Sequence, residues 1–322
     1  MTVQRTPLDA STLSAAAQKA LGPGPGRMMA SRGLVPLPPA DQIAVLYQLS
    51  IERDSGLAMS ARATAVGLPE KLLSGALADP TVDPRVLDLF AELVGTKPAA
   101  FEALVMNPAT ADATIAHLAT SASAREIDRI AANEQRLLRH PEIIAAMYTN
   151  KQARMSTVDR VVELAVRNHV RVPGLAAWDE IARALQGHPA PPPTPESDAL
   201  FAQVAEAATA ADDSALTQGD ADAVAELPDE APAPQDSQVE EKKQQISELS
   251  VPAKIRLAML GNAFDRAALI RDPLKLVSAA AIKSPAVTEF EAANYARNSS
   301  LSEDVIRYIA NKREWTKLYG TK

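Results

Sequence analysis

Residues 105–119 read VMNPATADATIAHLA. Pro108 pushes Asn107 out of the helical region and so ends the helix before it. The following residues predict a second short helix, with Thr110 as its cap and Ile115, Leu118 and Ala119 on its buried side. A unit this short cannot cover its own apolar stripe, and a stacked neighbour must complete the core.

The phrase recurs far downstream. Laying residues 107–138 over 284–316 places Asn107–Pro108 on Ser284–Pro285 and Thr110 close to Thr288. Glu126, Ile127 and Arg129 fall on Asp304, Val305 and Arg307, and Asn133 falls on Asn311. RIAANEQRLL at 129–138 thus has its counterpart in YIANKREWT at 308–316. Asp79–Pro80 and Asp272–Pro273 supply further stops of the same kind. Self-similarity at roughly 20–30 residues is the signature of a stacked helical repeat.

Working outward, the same style fills residues 38–187. Asp41 is expected to cap a helix carrying Ile43, Leu46, Tyr47 and Leu49. Asp83 followed by Pro84 predicts a capped helix with Val86, Leu87, Phe90 and Leu93 buried. Ser123 and Glu126 have capping-box spacing, as do Thr288 and Glu291. Ser156 and Ser302 are expected to cap the helices that follow them. The phrasing around VMNPATADATIAHLA resembles the leucine-rich repeat variant family and, more loosely, HEAT-type repeats, over about 70–170 and 265–316. That resemblance implies short helices stacked in a curved array. It implies no activity, because fold does not fix function. A cysteine-ligated cluster attributed to that family is impossible in a chain without cysteine.

Composition agrees. Aromatic residues are only 4% of the chain while apolar residues reach 47%. An alanine-rich, aromatic-poor chain favours close-packed thin helices over sheet. The absence of cysteine excludes disulfides, thiolate zinc sites and a cysteine nucleophile. Neither Gly-x-Ser-x-Gly nor His-Glu-x-x-His occurs. His117 is expected to be a half-buried structural residue, and His140 and His188 precede prolines and mark turns. No cofactor and no metal are therefore expected. No run of about 18 apolar residues is present, so no membrane span is expected, and the cytoplasm is the default location.

The charge is uneven. The net charge is −7, yet no Lys or Arg lies between Arg183 and Lys242, an interval holding thirteen acids. Setting those aside leaves 33 bases against 27 acids. The expected organisation follows: a flexible arm over 1–37, a helical repeat module over 38–187, a disordered Pro/Ala/acidic linker over 188–245, and a small helical module over 246–322. The fold class is all-α, with short stacked, solenoid-like repeats in two modules. Within the linker, Leu200, Phe201 and Val204 share one helix face and mark either a short binding motif or a transient helix.

Two surfaces are candidates for interaction. One is basic: Arg125, Arg129, Arg136, Arg139, Lys151 and Arg154 recur at helical spacing. It suits nucleic-acid phosphates, an acidic partner, or simple solvation. The other is the end of the chain, with Ile306, Ile309, Arg313, Trp315, Lys317 and Tyr319. Trp, Tyr and Arg dominate interface hot spots. Its aromatics either fold back on their module or dock onto a second copy, the first module or a partner. The leading expectation is a non-enzymatic scaffold or adaptor that binds proteins, and the alternative is a nucleic-acid-binding repeat protein.

Overall fold

The structure is a computed structural model that describes residues 5–94, 97–187, 195–210, 235–297 and 301–317. Among the described residues there are twenty α-helices, two 3-10 turns and no strand. They belong to two compact units, one of residues 1–121 with 125–133, the other of residues 122–124 with 134–322.

Unit 1 contains α1 (Ala15–Ala20), α2 (Pro25–Ser31), α3 (Pro39–Ser50), α4 (Ser55–Gly67), α5 (Glu70–Leu77), α6 (Pro84–Leu93), α7 (Pro98–Met106), α8 (Asp112–Ala119) and nearly all of α9 (Ala124–Ala131). Helix α3 packs on α4 and α5, and α5 packs on α7. Ile43, Leu46, Tyr47, Leu73, Phe90 and Leu104 form its core. Alanines such as Ala61 and Ala100 are also buried, and their small side chains let helix backbones approach closely.

The expected flexible arm is instead part of this unit. Tyr47 Oη donates to Thr6 O at 2.8 Å, Arg85 Nη1 donates to Pro7 O at 2.8 Å, and Leu8 N donates to Gln48 Oε1 at 2.9 Å. Ala17 and Ala30 are buried. Gly22–Pro23–Gly24–Pro25–Gly26 leads directly into α2. Gly24 takes a φ of 115°, which glycine tolerates, and Pro25 then occupies the first helical position.

Unit 2 contains α10 (Glu134–Arg139), α11 (Glu142–Thr149), α12 (Met155–Arg167), α13 (Trp178–Gly187), α14 (Pro195–Ala210), α15 (Gln235–Glu248), α16 (Val251–Leu260), α17 (Ala263–Leu269), α18 (Lys275–Lys283), α19 (Glu289–Ala296) and α20 (Glu303–Asn311). Helix α18 packs on α13, α16 and α20, and α16 packs on α11 and α13. The expected modules are therefore divided elsewhere. Residues 246–297 and 301–317 belong to the same compact unit as residues 134–187. Inside the range expected for the linker, α14 and the first part of α15 are helical, and Phe201, Val204 and Ala205 are buried. Burial of that apolar stripe offsets the cost of ordering the chain. Residues 188–194 and 211–234 lie outside the described residues.

The helix stops have a common construction. Asn107 follows α7 in an extended conformation, and its Oδ1 accepts Ala109 N at 2.9 Å. Asn150 follows α11 in the same way and accepts Gln152 N at 2.8 Å. Asp79 does this for Thr81 N at 2.9 Å, and Asp272 for Leu274 N at 2.9 Å. Ser284 accepts Ala286 N at 3.4 Å. The two asparagines also reach across the stack. Asn107 Nδ2 donates to Leu77 O at 2.7 Å and Asp79 O at 2.9 Å, while Asn150 Nδ2 donates to Ala122 O at 2.8 Å. Each buried amide therefore stops one helix and pairs carbonyls at or just after an earlier helix end, 28–30 residues back.

Caps follow the sequence in part. Asp83 caps α6 with Pro84 at its first position, and Thr288 with Glu291 forms a full capping box on α19. Ser302 holds the cap position of α20 without a side-chain cap bond. Three assignments differ. Helix α3 begins at Pro39, so Asp41 lies inside its first turn and accepts Ser14 Oγ at 2.6 Å. Thr110 is buried and donates back to Leu104 O at 2.6 Å, leaving Ala111 at the cap of α8. Ser156 lies within the first turn of α12 rather than at its cap.

Candidate functional site

The most heavily built constellation lies in unit 2 around Arg256, on α16. Helix α11 ends at Thr149, and its last carbonyls have no partner within the helix. Arg256 supplies one. Its Nε donates to Tyr148 O at 3.1 Å, and its Nη2 donates to Asn150 O at 2.8 Å and Ala153 O at 3.0 Å. Met155 Sδ lies 3.6 Å from Nη1. A cation at a helix C-terminus also meets the negative end of the helix dipole. The side chain is 0% exposed.

Two rings enclose the guanidinium. Its carbon lies 4.8 Å from the centroid of Phe201 on α14 and 6.0 Å from that of Tyr148. Burial lowers the Arg256 pKa to about 10, opposed by Tyr148, Asp159 and Asp198, so the group remains a cation at neutral pH. Burial drives the Tyr148 phenol far above its ordinary range. Its Oη is buried without a hydrogen-bond partner among the described residues. Asp159, on α12, is pushed up to about 7 by burial; Arg256 opposes the shift, and Asp198 and Glu163 reinforce it.

Asp198 completes the cluster. One carboxylate oxygen accepts Ser156 N at 2.9 Å and the other accepts Ser156 Oγ at 2.6 Å. Part of the cap of α12 thus comes from α14, 42 residues away in sequence. Asp198, Phe201, Val204 and Ala205 recur at helical spacing, giving α14 a single face toward its neighbours α12, α15 and α16.

Further partly buried ion pairs tie the later helices of unit 2 together. Lys283 Nζ lies 2.9 Å from Glu180 Oε1, Lys254 Nζ 3.1 Å from Asp272 Oδ2, and Lys242 Nζ 3.0 Å from Asp265 Oδ1. Arg266 forks onto Glu291 Oε1 at 2.9 and 3.1 Å and donates to Gly261 O at 2.8 Å. These carboxylates are engaged in joining helices. Among the described residues, no group of three or more His, Asp or Glu is gathered tightly enough to hold a metal ion.

The residues of the expected basic surface are divided between the two units. Arg125 and Arg129 belong to unit 1, where both are exposed and Arg129 pairs with Glu102 at 3.4 Å. Arg136, Arg139, Lys151 and Arg154 belong to unit 2. Arg136 is buried there, which removes it from any phosphate-facing surface; the other three are exposed. His117, expected to be half-buried, is exposed.

At the C-terminal surface, Trp315 folds back. It is buried, meets the Tyr308 ring edge-on at 6.1 Å between centroids, and has Lys312 Nζ 3.8 Å from its centroid. Ile309 is buried as well, while Ile306 and Arg313 are exposed. Lys317 ends a 3-10 turn, and Tyr319 lies outside the described residues.

Sequence reasoning missed Arg256, Asp198, Tyr148 and Asp159. One signal for Arg256 was present: IRLAML at 255–260 sets an arginine between Ile255 and four apolar residues. Such a charge needs a specific partner if its neighbours are buried. No family model, curated protein or solved structure matches the chain.

Proposed function

We propose that the chain is a non-enzymatic scaffold or adaptor that binds other proteins through its stacked helices. The observation supporting this most is the outward display of large apolar side chains. Met28 and Met29 on α2, Met59 on α4 and Met106 on α7 are 43–66% exposed. Phe290 on α19 is 57% exposed. One exposed apolar residue is ordinary, but half of the eight methionines stand in water here. Methionine is flexible and polarisable, and is favoured where a surface must adapt to a partner. The buried acids, by contrast, are engaged in holding helices together.

The test is a pull-down from native cell extract with the tagged full chain, with and without nuclease. Proteins retained after nuclease, and lost when Met28, Met29, Met59 and Met106 are changed to glutamate, support this reading. Capture that disappears with nuclease overturns it in favour of nucleic-acid binding. Steep salt dependence would accompany that outcome.

A further inference from the structure

We infer that the surface carrying Arg256 and Ser156 is a recognition groove for an acidic amphipathic helix of pattern Asp-x-x-Phe-x-x-Val-Ala, occupied in cis by α14. The inference deepens the protein-binding reading and rests on it. The resident occupant is α14, seated through two side-chain contacts of its buried face. Asp198 accepts the Ser156 amide and hydroxyl at 2.9 and 2.6 Å, and Phe201 covers the Arg256 guanidinium at 4.8 Å. Val204 and Ala205 complete the buried face. The groove supplies matching chemistry: a helix N-terminus for the carboxylate and a buried cation for the ring.

The origin of α14 supports exchange. The helix comes from the interval between Arg183 and Lys242 that carries thirteen acids and no base. Four prolines, at 189 and 191–193, precede it, and the acidic stretch 211–234 follows it. A helix carried on the same chain as its groove competes at an effective concentration on the order of millimolar. An external helix must compete with that, so the groove is masked toward weak partners and open to strong ones. A partner carrying the same pattern, with acidic flanks, is the ligand class the groove fits.

The experiment uses the full chain and a fluorescent peptide of residues 195–210, read by anisotropy. The wild type is expected to bind weakly. D198N/F201A, which weakens the resident helix, is expected to bind at least tenfold more tightly, and a peptide carrying Phe201→Ala is expected to lose that gain. A folded D198N/F201A variant that does not bind the peptide overturns the inference, as does binding indifferent to Phe201→Ala. If the double variant fails to fold, hydrogen exchange on the wild type decides. Amides of α14 that exchange well before those of α12 and α16 support a detachable helix; equal protection overturns it. A wild-type dimer dissociated by the peptide would mean copies exchange α14 with each other, which also overturns an external partner. Partners captured from extract with no peptide binding would sink the groove alone and leave the scaffold reading standing.

Discussion

Arg256 and Phe201 stack with the guanidinium carbon 4.8 Å from the ring centroid, and both side chains are buried. A cation so placed is stable only because every direction is answered. Three backbone carbonyls take its hydrogens, and aromatic rings cover it. The cost of removing a charge from water is thereby offset, and the same contacts join α16 to the end of α11 and to α14.

Arg256→Leu is therefore expected to destabilise unit 2 by about 3–5 kcal/mol, since it orphans buried carbonyls as well as deleting a charge. Arg256→Lys should recover only part of this, because an ammonium cannot reproduce the planar fork. Urea unfolding followed by circular dichroism measures both. A leucine variant with the wild-type midpoint would refute the role given to Arg256.

Asp159 predicts a pH dependence. Its pKa is raised to about 7 in the folded chain, whereas an unfolded aspartate titrates near ~3.9. Between those values the folded state binds more protons than the unfolded state. This contribution to stability is thus fully present below about 4 and is lost as pH rises through about 7. Wild type minus Asp159→Asn, compared at pH 5 and pH 8, should show the wild type losing ground as pH rises. A difference that stays constant across that range would contradict the assignment.

The legible parts of this fold were local. Asp83–Pro84 and Thr288 with Glu291 announce helix starts because the capping partners lie within three residues. Asn107–Pro108 announces a stop for the same reason. Thr110 misled because a hydroxyl beside a helix start can equally donate backward, here to Leu104 O. The Arg256 site was illegible because its acceptors are backbone carbonyls 103–108 residues away, and a carbonyl has no sequence signature. Asp198 was read as one more acid in an acidic stretch. Its service to Ser156 is visible only once α14 and α12 are side by side.

Gly261 offers a steric test at the turn between α16 and α17. A Cβ built there would lie 2.7 Å from Leu257 O and 2.8 Å from Asp265 Cβ. Backbone and a buried side chain cannot yield cheaply, so Gly261→Ala is expected to cost about 1–3 kcal/mol despite alanine's higher helix propensity. Thermal unfolding of the variant decides it. A rise in melting temperature would show that the turn relaxes freely.

The two asparagine stops allow one idea to be tested in two places. Asn107 and Asn150 each accept a turn amide through Oδ1 and donate through Nδ2 to a carbonyl at or just after an earlier helix end. Ser284 holds a stop with a side chain too short to do both, and its turn bond is 3.4 Å. The cross-stack donation is thus separable from the local turn. Asn→Ser at 107 or 150 should keep much of the turn and lose the reach. Asn→Ala should lose both, costing about 1–3 kcal/mol through buried carbonyls left unpaired. Asn→Asp is the decisive variant: it keeps the acceptor, deletes the donor, and turns a carboxylate toward the carbonyls that the amide had paired. The expected order of unfolding midpoints near neutral pH is Asn, then Ser, then Ala, with Asp at or below Ala. An Asp variant as stable as the wild type at either position would show that the turn alone holds the stop, and that stacking of successive helices does not depend on the amide.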